Sequence, residues 1–74
     1  MMLNMIDTKE YMARRFKRLR NDSRLTQETA AELLGISRHT LSNYERCYSD
    51  IPIITALKMD GLYKKKDEKT YAEL

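Results

Sequence analysis

The 74-residue sequence is poor in chain breakers and cross-links, with one proline, two glycines, one cysteine and no tryptophan. So few turn formers among many helix formers point to helices joined by short turns. A single cysteine excludes an internal disulfide and fits a reducing cytoplasm. One histidine and one cysteine leave no cluster at metal-ligand spacing, so no metal is expected. No run of about 18 apolar residues occurs, which excludes a membrane-spanning helix. The N-terminus carries Asp7 and Glu10 and lacks the apolar stretch of a secretory signal. There is no glycine-rich phosphate loop and no Ser/His/acid set around a recognisable elbow, so neither enzyme activity nor a cofactor is expected.

Hydrophobic residues make up 42% of the chain and charged residues 34%. That suffices for one small domain with a marginal core. The formal net charge is +3, and the positive charge is clustered. Arg14, Arg15, Lys17, Arg18, Arg20 and Arg24 are opposed locally by Asp22, and a second block holds Lys64, Lys65 and Lys66. Clustered base suggests a polyanion partner. The run from Arg14 to Arg18 also reads as a solvated helix face that attracts DNA at long range.

Residues 1–7 are apolar but aperiodic and read as an arm. Thr8 suits an N-cap, and Tyr11, Met12, Phe16 and Leu19 recur at helical spacing up to a stop at Asn21-Asp22-Ser23. Thr26 is the next N-cap, with Gln27 and Glu28 in the first turn and Ala30, Ala31, Leu33 and Leu34 behind them. Gly35 ends this helix in the left-handed position. Ser37 caps a third helix from Arg38 to about Arg46. Pro52 opens a fourth at its first turn, with Ile53, Ile54, Leu57, Leu62 and Tyr63 as its apolar face and Asp60-Gly61 weakening it. Residues 67–74 form a tail or a short helix, with Tyr71 and Leu74 docking.

The segment from Leu25 to Glu45 therefore reads as two short helices joined by a tight turn at Gly35-Ile36-Ser37, the logic of a helix-turn-helix. Ala31 allows the helices to approach and Ile36 plugs the corner. At about 100° per residue, Arg38, His39, Ser42, Asn43 and Arg46 of the third helix share one arc. Leu41 and Tyr44 face the core. The outward arc offers hydrogen-bonding groups to base edges or phosphates and no carboxylate. Tyr63 reads as core and Cys47 as a structural, half-exposed thiol.

The sequence resembles the lambda-repressor/Cro-like (xenobiotic-response-element type) helix-turn-helix family from about Phe16 to Tyr63. The resemblance is carried by Leu19-Arg20, Leu25-Thr26-Gln27-Glu28, Ala31, Gly35-Ile36-Ser37, Leu41, Tyr44-Glu45-Arg46, and Ile51-Pro52 leading to Leu57. It implies an all-α, compact bundle of four or five helices, with the domain at 8–66 and the helix-turn-helix at 26–46. It implies that Thr26, Gln27 and Arg46 meet DNA phosphates, and that Arg38, His39, Ser42 and Asn43 face bases. It also implies a structural ion pair between Arg20 and Glu45. One segment and three positions depart from the family: Lys64-Lys65-Lys66-Asp67-Glu68 replaces the usual apolar fifth-helix motif. Ala30 replaces a larger aliphatic, and Asp60 stands at a common alanine. Cys47 stands where glycine is usual. A left-handed cysteine costs about 1 kcal/mol relative to glycine, which predicts another path for the loop through Tyr48 and Ser49.

Two functions follow. The first is sequence-specific double-stranded DNA binding by a small bacterial or phage transcriptional regulator, as a weak or DNA-induced homodimer. Residues 1–6 are one candidate interface. The second is a protein-interaction module on the same scaffold, with a toxin or a nuclease as its protein partner.

Overall fold

In the computed structural model, the backbone is described for residues 8–72 and the side chains for residues 8–63. The expected arm at residues 1–7, the lysine block at 64–66 and the docking of Tyr71 and Leu74 lie outside the described residues. Four helices follow in order: α1 (Thr8–Asp22), α2 (Gln27–Leu34), α3 (Arg38–Glu45) and α4 (Ile53–Ala72).

Local chemistry sets the ends of α2 and α3. Thr26 caps α2, its hydroxyl accepting from the Thr29 N–H at 3.1 Å. Ser37 caps α3 in the same way, accepting from the Thr40 N–H at 3.0 Å. Each cap satisfies a helix N–H that has no partner within the helix. The backbone carbonyl of Pro52 accepts from the Ala56 N–H at 2.8 Å. Proline thus stands one residue ahead of α4 and not inside its first turn, and Thr8 lies inside α1 and not before it. Arg46 follows the last residue of α3 as its C-cap.

Helices α1, α2 and α3 all end in one hydrogen-bonded motif. A left-handed residue donates its N–H back three positions, and the next residue donates back five. The left-handed residues are Arg24 (φ 61°), Gly35 (φ 76°) and Cys47 (φ 65°). After α3, Cys47 N–H reaches the Tyr44 carbonyl at 3.1 Å and Tyr48 N–H the Asn43 carbonyl at 2.8 Å. The expectation of a different path at Cys47 is therefore corrected. Two backbone hydrogen bonds hold cysteine in the conformation that glycine would adopt more readily.

The core joins Phe16 of α1, Ala30, Ala31 and Leu34 of α2, Leu41 and Tyr44 of α3, and Met59 and Tyr63 of α4. The rings of Phe16 and Tyr63 lie 6.2 Å apart. Helix α1 packs on α3 and α4, while α2 packs on α3 and α4. Three expectations about the apolar faces are corrected. Tyr11 and Leu33 are exposed, and so are Ile53, Ile54 and Leu57. Tyr63 is in the core as expected, but α4 is rotated so that Ala56 and Met59 point inward with it in place of the three aliphatics. Aliphatic residues occupy both sides of its first turns, and the buried side is the one that brings the Tyr63 ring beside Phe16. Asp60-Gly61 does not end α4, whose backbone stays helical to Ala72.

Candidate nucleic-acid interface

The site is built on α2 and α3, linked by the turn at Gly35-Ile36-Ser37. Gly35 N–H bonds the Glu32 carbonyl at 3.2 Å and Ile36 N–H the Ala31 carbonyl at 3.0 Å. Ile36 packs against the core, and Ser37 at once caps the next helix. The chain thus passes from α2 to α3 within three residues, and the buried Leu41 and Tyr44 anchor α3 on the core.

With that side of α3 fixed, its other side is fixed too. Arg38 and His39 are exposed, and Ser42 and Asn43 are half-buried. The Asn43 amide nitrogen lies 3.3 Å from His39 Nε2, so the two side chains form one polar unit a helical turn long. Arg46 is exposed, and its guanidinium lies over the Tyr48 ring, 4.9 Å from the centroid. Tyr48 read as a loop residue in the sequence. Its role as a platform for Arg46 depends on the left-handed Cys47, which no residue type announced.

Beneath this surface lies a buried polar cluster. Arg20 of α1 donates to the Glu45 carboxylate through Nε at 2.6 Å and Nη2 at 2.9 Å. Its Nη1 donates to the Leu25 carbonyl at 2.7 Å. The guanidinium is thus engaged at all three nitrogens, and its hydrogen bond to Glu45 raises its pKa above the ordinary arginine value. A planar fork meeting a carboxylate in two parallel bonds fixes orientation as well as charge. Gln27, at the start of α2, donates its amide to Glu45 Oε1 at 3.0 Å. Glu45 therefore ties α1, α2 and α3 together at one point. The sequence reading assigned Gln27 a phosphate and missed this contact. The contact depends on how α2 packs on α3, which the pattern of neither helix gives.

Among the described residues, one buried side-chain polar atom lacks a partner. The Tyr63 hydroxyl is buried without a hydrogen bond. Burial, and then the nearby Glu45 carboxylate, push its pKa up to about 12. Ser23, also buried, donates to the Tyr63 carbonyl at 3.4 Å. Among the described residues, no group of His, Cys, Asp and Glu could hold a metal ion, and no helix is long and apolar enough to cross a membrane.

The arrangement matches known proteins in sequence. The HTH-type transcriptional regulator ImmR of Bacillus subtilis (strain 168) is 44% identical over 52 residues, which cover 70% of this chain and 41% of that protein. This chain thus spans less than half the length of that relative. No solved structure matches it. The model of the helix-turn-helix domain family matches residues 12–50, from within α1 into the loop after α3, and the chain belongs to that family.

Proposed function

We propose that this chain is a sequence-specific, double-stranded DNA-binding transcriptional regulator of the Cro/C1 (xenobiotic-response-element) type, acting in the cytoplasm with α3 in the major groove. The observation that carries this reading is the carboxylate-free outward face of α3. Arg38, His39, Ser42 and Asn43 line it, while the helix's one carboxylate, Glu45, is turned inward onto Arg20. A face that donates hydrogen bonds and repels no phosphate is what a groove edge requires.

Roles divide by chemistry. Arg38 matches the two acceptors of guanine and Asn43 the acceptor–donor edge of adenine, with His39 and Ser42 beside them. Thr26 and Gln27 stand at the N-terminus of α2, where free N–H groups and the helix dipole favour a phosphate. The amide nitrogen of Gln27 is held by Glu45, so the side chain is positioned before DNA arrives. Arg46 approaches the backbone beyond the end of α3. One such module has a small footprint, so two copies act on a two-fold symmetric site, with half-sites about one helical turn apart.

The test is a gel-shift titration with genomic fragments at two salt concentrations, followed by selection of the bound site. Binding that weakens steeply with salt is expected. On the selected site, Arg38→Ala and Asn43→Ala should each cost about 1–3 kcal/mol and relax preference at one base pair. An even loss on every sequence from both variants would refute the reading role. No binding at low salt would leave the protein-interaction reading in its place.

A further inference from the structure

His39 and Asn43 stand one helical turn apart on the outward face of α3, where side chains four residues apart meet. The Asn43 amide nitrogen lies 3.3 Å from His39 Nε2. An amide nitrogen only donates, so Nε2 accepts, which makes the ring neutral with its proton on Nδ1. We propose that His39 is a positioning residue for base reading: its neutral ring fixes which way round the Asn43 amide meets the groove. This role rests on the DNA-binding reading, and within it His39 orients the residue that reads a base and does not read one itself.

The two ends of an amide are not equivalent to a base. Asparagine meets adenine through its carbonyl oxygen, which accepts from N6, and through the N–H beside that oxygen, which donates to N7. Its second N–H points away from this edge and is the one available to the imidazole. Contact with His39 and the bidentate contact with adenine are therefore compatible in one orientation of the amide. Turned by half a rotation, the amide offers a donor where adenine needs an acceptor. Among the described residues the Asn43 side chain has no other hydrogen-bond partner, so the choice between the two orientations falls to His39.

Protonation reverses that choice. An imidazolium donates from both nitrogens, and the amide turns its oxygen toward Nε2. Histidine is the side chain that gains its charge between about pH 8 and pH 5. The charged groups nearby leave the ring to Asn43. Arg38 and Arg46 share its helix face, Glu28 and Glu32 lie exposed on α2, and Arg20 of α1 is bonded to Glu45. None of them forms an ion pair with His39. The added charge and the turned amide then act in opposite directions. The first tightens binding to any DNA, and the second lowers discrimination at one base pair.

The test uses the full chain, its selected site and single-base variants of that site. The base pair in question is the one whose preference Asn43→Ala relaxes, and the readout is the ratio of affinities there. His39→Lys, a donor at every pH used, should lower this ratio about tenfold while tightening binding to random DNA. His39→Glu, an acceptor, should keep the ratio while weakening binding to every sequence. Residue 39 is exposed, so both variants should keep the wild-type helical spectrum. In the wild type the ratio should fall from about pH 8 to about pH 5.5, and in both variants it should stay flat. Nitrogen NMR of the free chain at the upper pH should place the ring proton on Nδ1. A ring proton on Nε2, or a ratio unmoved by His39→Lys, overturns this role alone and leaves the DNA-binding reading standing. A wild type without preference at any base pair sinks both.

Discussion

Cys47 sits at φ 65°, in a region where a side chain crowds its own backbone and glycine does not. The two N–H bonds that close the end of α3 hold it there. Cys47→Gly should therefore raise stability by about 1 kcal/mol and the melting temperature by about 4–8 °C. Gly35→Ala supplies the opposite control. Nothing lies within 4 Å of a Cβ at Gly35, yet its φ is 76°, so any loss on heating reports backbone conformation and not a clash. An unchanged melt in both variants would remove conformational strain as the explanation. Tyr63 is strained electrostatically and not sterically. Its hydroxyl is buried without a partner among the described residues, and burial raises its pKa from the ordinary 10.0 to about 12. The unfolded chain releases that proton near pH 10 while the folded chain keeps it, so stability is full below pH 10 and falls between pH 10 and 12. Lysine and cysteine titrate in the same region, so the readout is a difference: the wild type should lose denaturation midpoint faster over this window than Tyr63→Phe. Tyr63→Phe should also be at least as stable at neutral pH, because no hydrogen bond is lost. A large loss there would mean that the hydroxyl has a partner.

Between elements, the bonds from Arg20 and Gln27 to Glu45 hold three helices in register. Arg20→Ala leaves a buried carboxylate without its cation and should cost about 3–5 kcal/mol. Replacing both partners by apolar residues of similar volume, Arg20→Met with Glu45→Leu, should cost much less than the two single changes together. Additive losses in a chemical denaturation cycle would show that the pair is not coupled. The elements differed in how plainly the sequence announced them. Helices α2 and α3 were legible because Thr26, Ser37 and Gly35 each favour one local conformation, and Leu41 and Tyr44 fix a single buried side. The ends of α1 near Asp22 and of α3 near Arg46 were read where they fall, but the left-handed turns that close them were not, because arginine and cysteine carry no preference for that region and only the closing hydrogen bonds hold them there. The rotation of α4 was illegible for a different reason. Ile53, Ile54 and Leu57 are more hydrophobic than Ala56 and Met59, so hydrophobicity alone favours the side that is exposed, and only the shape of the surface offered by α1 and α2 decides between them. The outward arc of α3 followed directly from periodicity, whereas the contact of Gln27 with Glu45 depends on a packing angle that no single helix encodes.

Across the whole molecule, the net charge of +3 is distributed unevenly between the face proposed to meet DNA and the outer side of α1. Arg14 and Arg18 lie on the side of α1 opposite the buried Ala13, Phe16 and Arg20, and Arg14 is held by Glu10 one turn earlier at 2.7 Å. These arginines therefore point away from the partners of α1 and cannot touch a duplex that lies against α3. Their effect on binding is through the field of the whole protein, which speeds encounter at low salt and is screened beyond about 8–10 Å at physiological ionic strength. Arg46, by contrast, stands beyond the end of α3 with its guanidinium oriented by Tyr48. A cation that neutralises a phosphate releases a condensed counterion, and each such contact adds about 0.9 to the slope of log affinity against log salt. Arg46→Ala should thus lower the magnitude of that slope by about one and weaken binding similarly on all sequences. The double change Arg14→Gln with Arg18→Gln should slow association at low salt, lose its effect near physiological salt and leave the slope nearly unchanged. The two variants can be compared by stopped-flow association and equilibrium titration across the same salt series. If the α1 double variant removed about two from the slope, the outer side of α1 would lie on the phosphate backbone, and the docking of α3 proposed above would have to be abandoned.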